Sequence, residues 1–133
     1  MKIISILSIS LILVLISCAK DHENKKECDE TTITGEWVWI KTTGGASGAY
    51  ITPENSGFIK KLEIDDYVWK EYINDSIIFE SAYTLNVNPD STVYHGGVNW
   101  ENRIGLGFEI RGCSLTLMCG FEDCFTDFYE REN

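Results

Sequence analysis

The chain has 133 residues, 21 acidic side chains against 11 basic ones and a formal net charge of −10. A surface this acidic, with no basic patch, excludes binding to nucleic acid and docking on anionic lipid headgroups. About a hundred residues remain beyond the N-terminal region, enough for one domain with one core.

The first element is an apolar run, Ile3 to Ile16, behind the single positive charge of Lys2. Its length suits the core of a secretory signal and falls short of the ~20 apolar residues a membrane-spanning helix needs. The run closes on Leu15-Ile16-Ser17-Cys18, which resembles the lipobox of bacterial lipoproteins. That resemblance implies that residues 1–17 are a lipoprotein signal peptide and that Cys18 carries the lipid that holds the chain to a membrane. Ala19, where an aspartate would retain a lipoprotein at the inner membrane, implies the outer membrane, facing the periplasm or the surface. The cysteine count agrees. Five is odd, so in an exported chain one thiol has no intramolecular partner, and the lipobox gives Cys18 that place. Residues 18–32 are polar without apolar periodicity and read as the lipidated, flexible tether. Residues 33–133 are left as the folded domain.

From Thr34 the chain alternates in period two, which is the signature of half-buried strands. Eight short runs stand out, over 36–43, 58–65, 67–73, 76–87, 92–95, 102–111, 114–119 and 124–131. The breaks between them carry turn chemistry: Asp65-Asp66, Asn74-Asp75, Asn88-Pro89-Asp90-Ser91, Gly96-Gly97 and Gly120 to Asp123. Most are too short for a crossover helix, so neighbouring strands are expected to be antiparallel. One helical turn is expected at Thr52-Pro53-Glu54-Asn55, with Thr52 as cap and Pro53 in the first helical position.

The alternation sorts residues by face. Phe58, Leu62 and Ile64 share one side of their strand, as do Ile77, Phe79, Tyr83, Leu85 and Val87, and then Ile104, Leu106, Phe108 and Ile110. One dry and one wet face on sequential strands predicts an all-β fold, a small eight-stranded antiparallel up-and-down barrel, because closure removes both exposed edges. A two-sheet sandwich is the competing architecture.

The stretch "TGEWVWIKTTGGASG", followed by "ITPENSGFIKKLEI", resembles the small lipocalin-like (calycin) domains of bacterial lipoproteins. Lipocalins open their first strand with G-x-W, here Gly35-Glu36-Trp37, and the closing residues Leu115, Leu117, Cys124 and Tyr129-Glu130-Arg131 are similar to their last strand. The resemblance implies a lipocalin-like barrel whose base is shut by Arg131 covering Trp37 beside Gly35, and a mouth that holds a small hydrophobic ligand. The chain departs from classical lipocalins in its short length and in lacking a C-terminal helix.

The loop over 43–57 is the main candidate lid. Its apolar Tyr50 and Ile51 are ligand-binding candidates, together with Trp69, Phe79, Tyr83 and Phe108 if these line the barrel rather than fill it. Cys119 and Cys124 flank a short turn and are expected to pair, leaving Cys28 for Cys113; a Cys28–Cys124 bridge is the alternative. No metal site is expected, because the cysteines lack C-x2-C spacing and His22 and His95 are far apart. His95 has no serine or cysteine partner in view, so neither catalysis nor a cofactor is expected. The competing function is a non-enzymatic interaction protein with a filled barrel, docking an envelope partner through exposed aromatics around Trp39, Tyr72 or Trp100.

Overall fold

The computed structural model describes residues 27–132 apart from residues 90 and 122. Residues 1–17, expected to be a signal peptide, Cys18 and most of the expected tether lie outside the described residues. Nine strands and one helical turn follow in the order β1 (Gly35–Gly44), β2 (Ala49–Ile51), α1 (Pro53–Ser56), β3 (Lys60–Ile64), β4 (Val68–Ile73), β5 (Ser76–Val87), β6 (Tyr94–Trp100), β7 (Arg103–Arg111), β8 (Ser114–Met118) and β9 (Phe125–Arg131). Every pairing is antiparallel. β1 pairs with both β3 and β9, so eight strands close on themselves and β2 is an added edge on the far end of β1. The barrel is therefore closed and all-β, and the sandwich is ruled out.

Local chemistry explains the connections. Asn74 and Asp75 both take positive φ, 48° and 63°, the backbone of a two-residue hairpin turn that matches strand twist. Asp65 Oδ1 accepts from the backbone N–H groups of Tyr67 and Val68 at 2.7 and 2.6 Å, turning β3 into β4. Thr52 and Asn55 exchange a reciprocal pair of hydrogen bonds around Pro53, which caps α1 as a capping box.

One expected turn is corrected. Gly96-Gly97 do not break the chain but lie inside β6, which runs on to Trp100. A Cβ at Gly96 would fall on the Asn86 carbonyl oxygen of β5, so glycine here allows close strand approach rather than a reversal. The reversal comes at residues 101–102.

The strand register divides the barrel into two ends. Gly35, Ile64, Val68, Val87, Tyr94, Arg111, Ser114 and Arg131 mark one end, called the base; Gly44, Lys60, Ile73, Ser76, Trp100, Arg103, Met118 and Phe125 mark the other, called the mouth. Trp37, Trp39, Leu62, Ile64, Trp69, Val98, Phe108, Ile110, Leu115 and Leu117 form the buried core between them. Disulfides join Cys28 to Cys113 at the base and Cys119 to Cys124 on the mouth side. The sheet, its core and both disulfides all fall within residues 28–132, so this part of the chain has what an independently folding domain requires.

Candidate functional site

At the base the inside is sealed. Arg131 lies over the Trp37 ring, 4.2 Å from guanidinium carbon to ring centroid, a stacking worth about 0.5–2 kcal/mol. Its guanidinium donates to the carbonyls of Thr34 at 2.7 Å, Thr32 at 2.8 Å and Asp29 at 3.1 Å. Gly35 makes room for this: a Cβ there would meet the Arg131 Nη1 at 2.8 Å. Trp37 Nε1 in turn donates to the Ile33 carbonyl at 2.8 Å, and Ile33 is itself buried. The last residues of the segment read as a tether, Cys28 to Thr32, are thus fastened across the base by one disulfide and one arginine.

The middle is filled. Trp69 packs edge-on against Trp100 and Tyr83, with centroids 5.1 and 6.0 Å apart, and Phe79 packs edge-on against Trp100 at 5.9 Å. Phe108 is buried beside Tyr94. Of the ligand candidates taken from the sequence, Trp69, Phe79 and Phe108 therefore pack as plug, while Tyr83 packs on Trp69 and also lines a separate cavity of about 260 Å³ with Ala82, Thr84, Asn99, Trp100 and Glu101. Tyr50 is 61% exposed, on the outer side with the Lys41 ammonium over its ring. Among these candidates, Ile51 alone lines a mouth cavity.

The mouth holds two neighbouring cavities. An outer one of about 290 Å³ lies between Thr42, Ile51, Phe58, Lys60, Phe125 and Asp127. An inner one of about 230 Å³ is lined by Leu62, Leu106 and Leu117 together with Lys60, Glu71, Arg103, Asp127 and Tyr129. Lys60 and Asp127 belong to both and stand as the partition, 3.0 Å apart. Thr42 donates to the same Asp127 oxygen and accepts from Trp39 Nε1 at 3.0 Å. The Lys60 ammonium sits 4.9 Å over the Trp39 ring, whose other neighbour is the stacked ring of Phe58. Across the inner cavity, Glu71 accepts from Arg103 at 2.5 Å and from Trp69 Nε1 at 3.1 Å, while Arg103 lies over Phe79 and Trp100.

Two features of the strands aim these groups inward. β1 carries a bulge between Trp39 and Lys41, which turns Lys41 outward and brings Thr42 in; bulges re-aim side chains in this way near binding sites. Lys60, Glu71 and Asp127 need no bulge, since they share the inward parity of Leu62, Trp69 and Tyr129. That parity is the signal in the sequence: a charge on the dry face of a strand. The sequence reading passed over Lys60, Glu71, Arg103, Asp127 and Tyr129.

Tyr129 is 4% exposed and lines the inner cavity. Its hydroxyl has no hydrogen-bond partner among the described residues. Burial first, then the charges of Asp127 and Glu71, hold its pKa well above the usual phenol range, so it stays a neutral donor.

Exposed apolar side chains ring this same end: Ile59, Ile77, Ile78, Ile104, Phe121 and Phe125 are each at least half exposed. Of the aromatics expected to form an exposed patch, Trp39 and Trp100 are buried in the core and Tyr72 is half-buried. Among the described residues no three His, Cys, Asp or Glu side chains gather to hold a metal ion. No protein-family model, curated protein or solved structure matches the chain.

Proposed function

We propose that the chain is a lipid-tethered protein of the bacterial cell envelope whose lipocalin-like barrel binds a small apolar or amphipathic molecule at its mouth. The observation that carries this is the contrast between a sealed base, a packed middle and two cavities at one end. The outer cavity is mostly apolar and the inner one joins three leucines to convergent polar groups, a combination that suits a small molecule with both characters. The aromatic plug moves the site from the barrel's depth to its opening. The lipobox at Cys18, the G-x-W start and the absence of a basic surface support tethering at the outer membrane through lipid rather than through charge. The charges at the mouth are spent on one another, so the reading assigns binding to the site and no catalysis.

The apolar rim favours a second reading, in which the mouth end docks an envelope protein. One experiment separates the two. The domain from residue 19, exported to an oxidising periplasm and purified without detergent, is measured by native mass spectrometry. The proposal expects an adduct that organic extraction removes and that Leu117→Trp, which fills the inner cavity, abolishes. A clean mass for the unmodified domain, with a partner protein captured equally well by the Leu117→Trp variant, establishes the second reading instead. For the tether, Cys18→Ala is expected to abolish incorporation of labelled palmitate; incorporation that persists in the variant overturns that part.

A further inference from the structure

The inner cavity is unusual in what it leaves unused. Its two anions are matched, Asp127 with Lys60 and Glu71 with Arg103, and its third cation, Lys61, is held from outside the cavity by Glu36 and Glu132. At its wall is a tyrosine almost wholly removed from solvent whose hydroxyl finds no partner among the described residues. The hydroxyl is not sealed into the core but keeps access to the cavity of about 230 Å³ that Tyr129 lines, so a group entering there can bond to it.

The chemistry of that visitor follows from the lining. A carboxylate head would gain from Lys60 and Arg103 but face Asp127 and Glu71 at similar range, and an ammonium the reverse; neither recovers its desolvation. An alkyl tail pushed in first would cover four charges and a hydroxyl without supplying one hydrogen bond. Hydroxyl groups can do what both fail to do. They accept from the remaining N–H donors of Lys60 and Arg103 and from the Tyr129 hydroxyl, and they donate to the free lone pairs of Asp127 and Glu71 without breaking either ion pair. The rim supplies the complement. Ile78, Ile104, Met118 and Phe125 stand exposed around the opening, where an apolar chain leaving the cavity would lie.

We propose that the mouth takes an amphiphile head first, with an uncharged, hydroxylated head in the inner cavity hydrogen-bonded to Tyr129, and the tail lying across the apolar rim. The proposal rests on the reading of the mouth as a ligand site and specifies what that ligand is.

The test uses three probes with one tail and different heads: octyl glucoside, octanoate and octyltrimethylammonium, each below its micelle threshold. Binding to the domain from residue 19 is followed by backbone amide shifts and calorimetry. The glucoside is expected to bind at least ten-fold more tightly than either ion, shifting the amides around Leu117, Asp127 and Tyr129. Tyr129→Phe is expected to weaken it ten-fold or more while leaving the melting temperature nearly unchanged. Tyr83→Phe is the control: the Tyr83 hydroxyl donates to the Asp65 carbonyl at 2.6 Å, away from the mouth, so this change lowers the melting temperature and leaves glucoside binding alone. If all three probes bind equally at the mouth, or Tyr129→Phe leaves glucoside binding unchanged, the head-first assignment is overturned and the mouth remains a ligand site. If no probe binds, the ligand-site reading falls and this proposal with it.

Discussion

At the base of the barrel, Arg131 reaches three backbone carbonyls and the face of Trp37, and a disulfide closes the chain from Cys28 to Cys113 over it. At the mouth, Lys60, Asp127, Glu71 and Arg103 face each other across open cavities, and Tyr129 keeps a hydroxyl without a protein partner among the described residues. The same strands supply both ends. At one end both terminal nitrogens of the arginine are spent on backbone carbonyls, while the other holds its polar groups around open cavities. On the proposed reading, the end with the open cavities is the end that binds.

Substitutions at the two ends are expected to behave differently, beginning with the disulfides. Replacing Cys28 and Cys113 by serine opens a loop with a sequence separation of 85, and is expected to cost about 4 kcal/mol on the chain-entropy model. Replacing Cys119 and Cys124, separated by 5, is expected to cost about 2 kcal/mol. Urea unfolding of both double variants checks the order; equal losses would remove the distinction between the ends.

Arg131→Ala comes next. It strips donors from the Thr34, Thr32 and Asp29 carbonyls and is expected to lower stability by about 3 kcal/mol. The mouth answers with a far smaller effect. Tyr129→Phe removes a cavity-facing hydroxyl that has no partner among the described residues, and is expected to change stability by less than about 0.5 kcal/mol. A loss of stability in this variant would mean that the hydroxyl is satisfied within the protein.

The smallest effect concerns acid. Glu63 on the outer wall accepts from Tyr72 at 2.8 Å and pairs with Lys70 at 3.2 Å, and the Tyr72 hydrogen bond, with Lys70 second, holds its pKa below the ordinary 4.5. A group whose folded pKa is depressed adds stability above its unfolded pKa and loses it as pH falls through the folded one. Stability is therefore expected to decline below pH 4.5, and Glu63→Gln to make that decline slightly shallower. A variant as acid-sensitive as the parent would assign the effect to other carboxylates.

The sequence showed the barrel more clearly than the site, and for a physical reason. Period-two alternation names the strands wherever apolar and polar residues truly alternate, as they do along 79–87 and 106–110, whereas Ile77 and Ile104, sorted with the dry face, stand exposed at the mouth; the turn at Asn74-Asp75 is spelled out by residues that accept positive φ. The short edge strand β2 was missed because three residues carry no periodicity. The Gly96-Gly97 pair misled because glycine serves close strand approach as readily as reversal. The ligand candidates were chosen as the largest aromatics, and size is what fits them to be the plug. The mouth was instead written in polar residues on the inward parity, Lys60, Glu71 and Asp127, and in Thr42, whose inward turn depends on a bulge at Ile40 that no local signal announces.

The most direct check of a sealed base and a receptive mouth is a map of backbone amide shifts on titrating the domain with octyl glucoside. The account predicts changes at Lys60, Glu71, Arg103, Leu117 and Asp127, with none at Gly35, Ile64, Arg111 or Arg131. Changes centred on the base, or spread evenly over the outer wall, would contradict it.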